Sequence, residues 1–209
     1  MTPNQLTIDR LKSKYSNSVE NSEKENFNNY LKTINKQINQ IENLVNEFSD
    51  FARMPKPVFN NNNILEIIKN NISLLAEVDK SISINFVCNK KSLLIKCDGE
   101  QISRVLFNLI KNSIESIQEK SKKNADFTKI IHIEIRDKND YIALNITDNG
   151  TGFSTDIIKN ITKPYFTTKH NGSGLGLSIV NKIINDHNGT IKFDTNNNGA
   201  KIDINLPKN

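Results

Sequence analysis

Tryptophan is absent from this 209-residue sequence, and cysteine occurs only at Cys88 and Cys97. Two cysteines at that spacing supply neither a disulfide framework nor the paired ligands of a zinc site. Both are expected to be reduced core thiols in a cytosolic compartment. No stretch of about 18 apolar residues occurs, so no membrane-spanning helix is expected. The first apolar residues are spaced rather than clustered, which argues against a signal peptide. Aromatics make up only 7% of the chain and are not interleaved with its lysines. The formal net charge is +5, yet the lysines are scattered and form no dense stripe. A solvated basic surface is the expected reading, with no nucleic-acid partner.

What is present is a composition with a real core, 36% hydrophobic and 24% charged. Asn, Ile and Lys are abundant, as the codons of an AT-rich genome would give. The runs Asn60-Asn61-Asn62-Asn63 and Asn196-Asn197-Asn198 are expected to be loops, because Asn tolerates turn conformations. Leu6, Leu11 and Tyr15 are spaced for one face of a helix over residues 2–15, and a polar turn follows to residue 24. Ile34, Ile38, Ile41, Leu44 or Val45, Phe48 and Phe51 recur every three or four residues and predict a long amphipathic helix over 25–52. Two helices joined by a short loop make an antiparallel hairpin. So small a core is naturally completed by dimerisation into a four-helix bundle. Pro55 and Pro57 end the segment, which places one domain at 1–57 and a second at 58–209.

In the second domain, helices are predicted over 64–78, from an Asp98 cap to about Lys120, and over 174–187. Strands are predicted over 81–88, 93–97, 130–136, 141–147, 191–194 and 201–206. The fold class is α+β: a two-layer α/β sandwich preceded by an α-helical hairpin.

Three features carry chemistry. Asn108 and Asn112 lie one turn apart on the helix that Asp98 begins. Amide oxygens there could hold a hydrated magnesium ion beside phosphates, although two exposed amides would look the same in sequence. Asp148 ends an apolar strand and leads into Asn149-Gly150-Thr151-Gly152. An ionised carboxylate only accepts hydrogen bonds, so it suits the amino group of adenine and rejects the carbonyl of guanine. Gly150 and Gly152 would let backbone approach the base, or simply form a hairpin turn. Gly172-Ser173-Gly174-Leu175-Gly176 runs into a helix, where exposed backbone N–H groups suit an anion. Its spacing is neither the dinucleotide fingerprint nor a Walker P-loop. Between the clusters, Pro164-Tyr165-Phe166-Thr167-Thr168-Lys169 reads as part of a lid over 160–173, with Thr168 and Lys169 facing phosphates and Phe166 anchoring it.

These motifs resemble those of sensor histidine kinases over the whole chain. Asn108-Leu-Ile-Lys-Asn112 is similar to the N box, and Asp148-Asn-Gly-Thr-Gly152 to the G1 box. Phe166-Thr-Thr-Lys169 is similar to the F box, and Gly172-Ser-Gly-Leu-Gly176 to the G2 box. Gly189-Thr190 and Leu206-Pro207 match the family's end. Thr2-Pro3-Asn4-Gln5-Leu6 and the stretch from Val45 to Pro55 resemble nitrogen-regulation kinases of the NtrY type.

The resemblance implies the Bergerat ATP-binding fold and a site for ATP and Mg2+. Its residues would be Asn108, Asn112, Asp148, Gly150, Gly152, Phe166, Thr168, Lys169, Gly172, Gly174, Leu175, Gly176 and Thr190, with Asn112 and Asn108 on the metal. It also implies a homodimer, a response regulator as partner, and a cytoplasmic domain that meets a membrane only through a longer parent chain. In this family the hairpin begins with a motif resembling His-Glu-x-x-Asn-Pro-Leu-Thr-Pro, whose Thr-Pro stands here at Thr2-Pro3, so the acceptor histidine is expected before Met1 and the hairpin is expected to be truncated. His132, His170 and His187 do not resemble an acceptor. Related ATP-hydrolysing folds carry Glu where Asn108 stands, and an amide cannot take the proton of water. Two functions are therefore expected: the ATP-binding catalytic portion of a histidine kinase, or a non-enzymatic ATP-binding and dimerisation fragment of a degraded kinase gene.

Overall fold

The apolar period of residues 25–52 forms helix α2 (Lys24–Ala52), preceded by α1 (Pro3–Tyr15). The computed structural model describes residues 3–16, 18–20, 22–124, 126–169, 172–196 and 199–208. The chain divides into two compact units: Met1–Met54 with Lys169–Ser173, and Pro55–Thr168 with Gly174–Asn209. In the first, α1 packs on α2 and buries Ile8 and Leu31. Most of the long stripe stays open: Ile34, Ile41, Leu44, Val45 and Phe48 are all exposed, Ile41 by 60%.

The second unit is a five-stranded sheet under three helices. Its strands are β2 (Ser83–Val87), β4 (Ile130–Asp137), β5 (Tyr141–Asp148), β6 (Thr190–Asn196) and β7 (Gly199–Pro207), in the order β2-β4-β5-β7-β6. The β2–β4 pair is parallel and the others antiparallel. Helices α3 (Ile64–Ala76), α4 (Gly99–Ser121) and α6 (Gly176–Asp186) pack with α4 in the middle, touching β4 and β5. The period-2 pattern explains the layering: Ile131, Ile133 and Ile135 of β4 and Ile142, Leu144 and Ile146 of β5 are buried. On α4, which packs on both strands, Ile102, Val105, Leu106, Leu109, Ile110, Ile114 and Ile117 are buried in turn. A four-residue helix, α5 (Thr155–Ile158), interrupts the loop after β5.

One expected loop is a strand. Asn60–Asn63 forms β1, antiparallel to β3 (Leu94–Cys97). Side-chain amides do what β propensity does not. Asn62 Nδ2 donates to the Cys97 carbonyl at 2.9 Å. Asn63 Oδ1 accepts from Leu65 N and Leu93 N, capping α3. Of the other run, Asn196 ends β6, and Asn197 and Asn198 lie outside the described residues. Cys97 is a core thiol, pushed up to about 11 by burial, whereas Cys88 is only half-buried.

The Asp98 cap forms as the sequence predicts, its Oδ1 accepting from Glu100 N and Gln101 N at 3.1 Å. His187, at the end of α6, locks this cap in place. Its Nε2 accepts from Asp98 N at 3.0 Å, and its Nδ1 lies 2.8 Å from the Ile183 carbonyl, which fixes the proton on Nδ1. Its ring also lies 5.1 Å from that of Phe59. His187→Phe keeps the ring but leaves the Asp98 N–H without its acceptor. It is expected to destabilise the chain by about 1–3 kcal/mol in urea unfolding.

Candidate active site

Alternation along β5 puts Ile142, Leu144 and Ile146 inward, and the next inward position is Asp148. A carboxylate there is carried into the core edge by the same register that buries the isoleucines, and it is 6% exposed. Burial raises its pKa above the ordinary 3.8 because a charge is costly there. Hydrogen bonds offset part of that cost. Oδ1 accepts from Gly150 N at 2.9 Å and Ala200 N at 3.4 Å, and Oδ2 accepts from Ser113 Oγ at 2.8 Å. The Lys120 ammonium also favours the charged form.

Helix α4 is the spine of the site. Asn108, Asn112, Ser116 and Lys120 are spaced four apart and therefore form one ridge. Asn108 Nδ2 donates to its own helix at the Arg104 carbonyl, 3.0 Å. Its Oδ1 faces Gly176, where an added Cβ would stand only 3.3 Å away. The first amide of the ridge thus meets the first residue of α6. Asn112 is half-buried one turn on. Ser116 Oγ accepts from Thr151 N at 2.9 Å. Lys120 Nζ donates to the carbonyls of Asn149 at 2.8 Å and Gly150 at 2.9 Å.

The glycines are used differently from one another. Gly150 lies against α4, and a Cβ on it would come 2.3 Å from Ser116 Oγ and 2.8 Å from the Ser116 carbonyl carbon. Gly152 (φ 70°) packs on Thr195 and Gly199. Gly174 has φ 71° and lies against Tyr165 and Phe166, where a Cβ would come 2.5 Å from the Tyr165 carbonyl carbon. Both conformations suit glycine. Leu175 is fully buried at the start of α6, and its carbonyl accepts from Ser178 Oγ. Phe166 is half-buried and Thr168 exposed. Lys169 and Gly172 belong to the other unit, where Gly172 N donates to the Lys169 carbonyl at 3.2 Å. His170 lies outside the described residues.

Thr190 is not brought to this group. It pairs with Asn205, and Asn205 pairs with Ala143, five residues from Asp148 along β5. It therefore stands about 17 Å away in the strand direction, at the opposite end of the sheet. Its hydroxyl accepts instead from Asn205 Nδ2 at 3.4 Å.

Sequence reading overlooked Ser113, Ser116, Lys120, Gly199 and Ala200. Ser113 carries a visible signal: a small polar residue in the apolar stripe of α4, only 2% exposed. Gly199 would place a Cβ 2.1 Å from the Asp148 carbonyl oxygen, a contact across the sheet that no local pattern announces.

A buried strand-end carboxylate, a helix ridge of amides beside it, and a glycine-led helix facing that ridge together define an ATPase catalytic domain of the histidine kinase type. Residues 97–209 match the family model for the histidine kinase-, DNA gyrase B- and HSP90-like ATPases, and the chain belongs to that family. Its relatives are sensor histidine kinases. It is 35% identical over 205 residues to a sensor histidine kinase NtrY-like protein of Rickettsia felis, covering 98% of this chain and 33% of that protein. It is 32% identical over 194 residues to the nitrogen regulation protein NtrY of Azorhizobium caulinodans, covering 93% of this chain and 25% of that one. The chain thus spans a third or less of the length of these relatives. The catalytic domain of histidine kinase ThkA superposes with a TM-score of 0.64 at 28% identity, covering 72% of this chain and 96% of that one. ThkA in complex with the response regulator protein TrrA shares the fold over 97% of this chain and 57% of its own, with a TM-score of 0.73 at 24% identity. Among the described residues no helix is long and apolar enough to cross a membrane.

Proposed function

We propose that this chain binds Mg-ATP and donates its γ-phosphate to a histidine, for relay to a response regulator. The observation that carries the reading is Asp148, a carboxylate kept in the core edge by two backbone N–H groups and a serine hydroxyl. Such an acceptor-only group suits an adenine amino group. Asn112, with Asn108, would hold the magnesium ion, which supplies charge neutralisation to the phosphates. Gly174, Leu175 and Gly176 lead into α6, whose first backbone N–H groups suit phosphate oxygens. Phe166, Thr168, Lys169 and Gly172 are assigned to the lid. Asn108 offers an amide and no base, which favours transfer to an imidazole over hydrolysis by water. Residues 1–57 are assigned to dimerisation and 58–209 to nucleotide binding. The exposed stripe of Ile34, Ile41, Leu44, Val45 and Phe48 supports a homodimer, because apolar surface of that length is usually covered. The proposed place is the cytoplasm, with membrane attachment only through a longer parent chain.

His187 is buried and committed to two hydrogen bonds, and His132 lies on β4. We assign neither as the acceptor. The test mixes this chain with an NtrY-type hairpin bearing its histidine and with γ-labelled Mg-ATP. Acid-labile, base-stable label on the hairpin is the expected result. ATP binding without any label would favour the non-enzymatic fragment, and no ATP binding would overturn both readings.

A further inference from the structure

The most informative polar group outside the sequence motifs is Ser113. It occupies a core position of α4, four residues on from Leu109 and four before Ile117, both fully buried. A hydroxyl at such a position needs a partner, and its partner is Asp148 Oδ2 at 2.8 Å. An ionised carboxylate offers about four lone-pair sites. Gly150 N and Ala200 N occupy the two on Oδ1. Ser113 occupies one on Oδ2.

We infer that Ser113 is the positioning residue of the base pocket: its hydroxyl orients Asp148 and leaves the second lone pair of Oδ2 as the one acceptor offered to the adenine amino group. The inference rests on the ATP reading above and assigns the geometry of its base recognition. Two backbone N–H groups on one oxygen do not by themselves fix the carboxylate plane. A third donor on the other oxygen does. The same hydroxyl favours the ionised state against burial, together with Lys120, the charged group that acts on Asp148 from α4. Protonation of Oδ2 would present an O–H to a base that itself presents an N–H. Losing Ser113 should therefore weaken ATP binding and move its acid limb upward in pH. It should also narrow the preference for ATP over GTP, because a protonated carboxyl can donate to the guanine carbonyl.

The test compares the chain with S113A and S113T. Alanine is the better helix former, so S113A is expected to keep its fold. Titration with Mg-ATP and Mg-GTP between about pH 5 and pH 8 gives affinity and preference. Carbon-13 NMR of the Asp148 carboxyl without nucleotide gives its ionisation directly. Expected for S113A are roughly tenfold weaker ATP binding at neutral pH, an upward move of the Asp148 titration and a smaller ATP-to-GTP ratio. S113T, which retains the hydroxyl, should stay close to the parent chain in all three. An S113A variant with unchanged affinity and unchanged Asp148 titration overturns the inference and leaves the ATP reading standing. A parent chain that binds no ATP, with an Asp148 titration that still moves in S113A, overturns the ATP reading and its base geometry. It would leave Ser113 only as the residue that holds this carboxylate.

Discussion

Asp148→Asn is expected to weaken ATP binding by about a hundred- to a thousandfold, on the order of 2.7–4 kcal/mol, while the protein melts no lower than its parent. The two effects have one cause. Asn is nearly isosteric, and its amide oxygen can still accept from Gly150 N and Ala200 N, the donors that hold Oδ1. Its NH2 group then replaces Oδ2, so a donor faces the adenine amino donor. A buried mismatch of that kind forfeits the hydrogen bond and the desolvation already spent on both groups.

Stability moves the other way. Burial holds the Asp148 pKa above 3.8, so the folded state favours the protonated form more than the unfolded chain does. That contribution is fully present below pH 3.8 and is lost as the pH rises through the folded value. At neutral pH the parent chain therefore carries a charge its fold disfavours, and the Asn variant does not. Nucleotide titration and thermal melts at about pH 4 and pH 7 check both parts. The melting difference should be larger at the higher pH. Tight ATP binding by D148N would remove Asp148 from the base pocket.

Much of this site could be read from local pattern because two periods intersect in it. The period-2 alternation of β5 places Asp148 inward, and the helical period of α4 aligns Asn108 with Asn112. Both are properties of residues a few positions apart. Ser113 was equally legible, as a hydroxyl inside an apolar stripe, but its meaning required Asp148, 35 residues away. Gly199 and Ala200 lie farther still, and only the β5–β7 register brings them to Asp148. Thr190 is the reverse case. Motif order places it after the glycine loop, but the antiparallel register of β6 and β7 carries it to the far end of the sheet. The strand at Asn60–Asn63 escaped notice because Asn has low β propensity. Its pairing rests on amide side chains reaching Cys97 and Leu93.

Gly150→Ala is expected to cost about 2–3 kcal/mol of stability, a fall of roughly 4–12 °C in melting temperature for a chain of this size. It should also weaken ATP binding. Sequence alone suggests that Gly150 is small so that a base can approach. The structure gives it a second reason, since the side on which a Cβ would project is filled by α4. The new methyl would overlap Ser116 Oγ at 2.3 Å and the Ser116 carbonyl carbon at 2.8 Å. The hydroxyl can rotate away, but helix backbone cannot. Displacing the turn from α4 would strain the Lys120 bonds to the Asn149 and Gly150 carbonyls and the Thr151 N–H bond to Ser116. It would also pull Gly150 N from Asp148 Oδ1, so the loss of stability and the loss of nucleotide are coupled. Adding Ser116→Ala relieves the Oγ overlap and leaves those with the Ser116 Cβ and carbonyl carbon, both at 2.8 Å. The double variant should regain only part of the lost stability, and the shortfall measures how rigidly α4 carries the turn after Asp148. Full recovery in the double variant would mean that the serine hydroxyl alone sets the spacing; a Gly150→Ala melt equal to the parent's would show that turn and helix can separate freely.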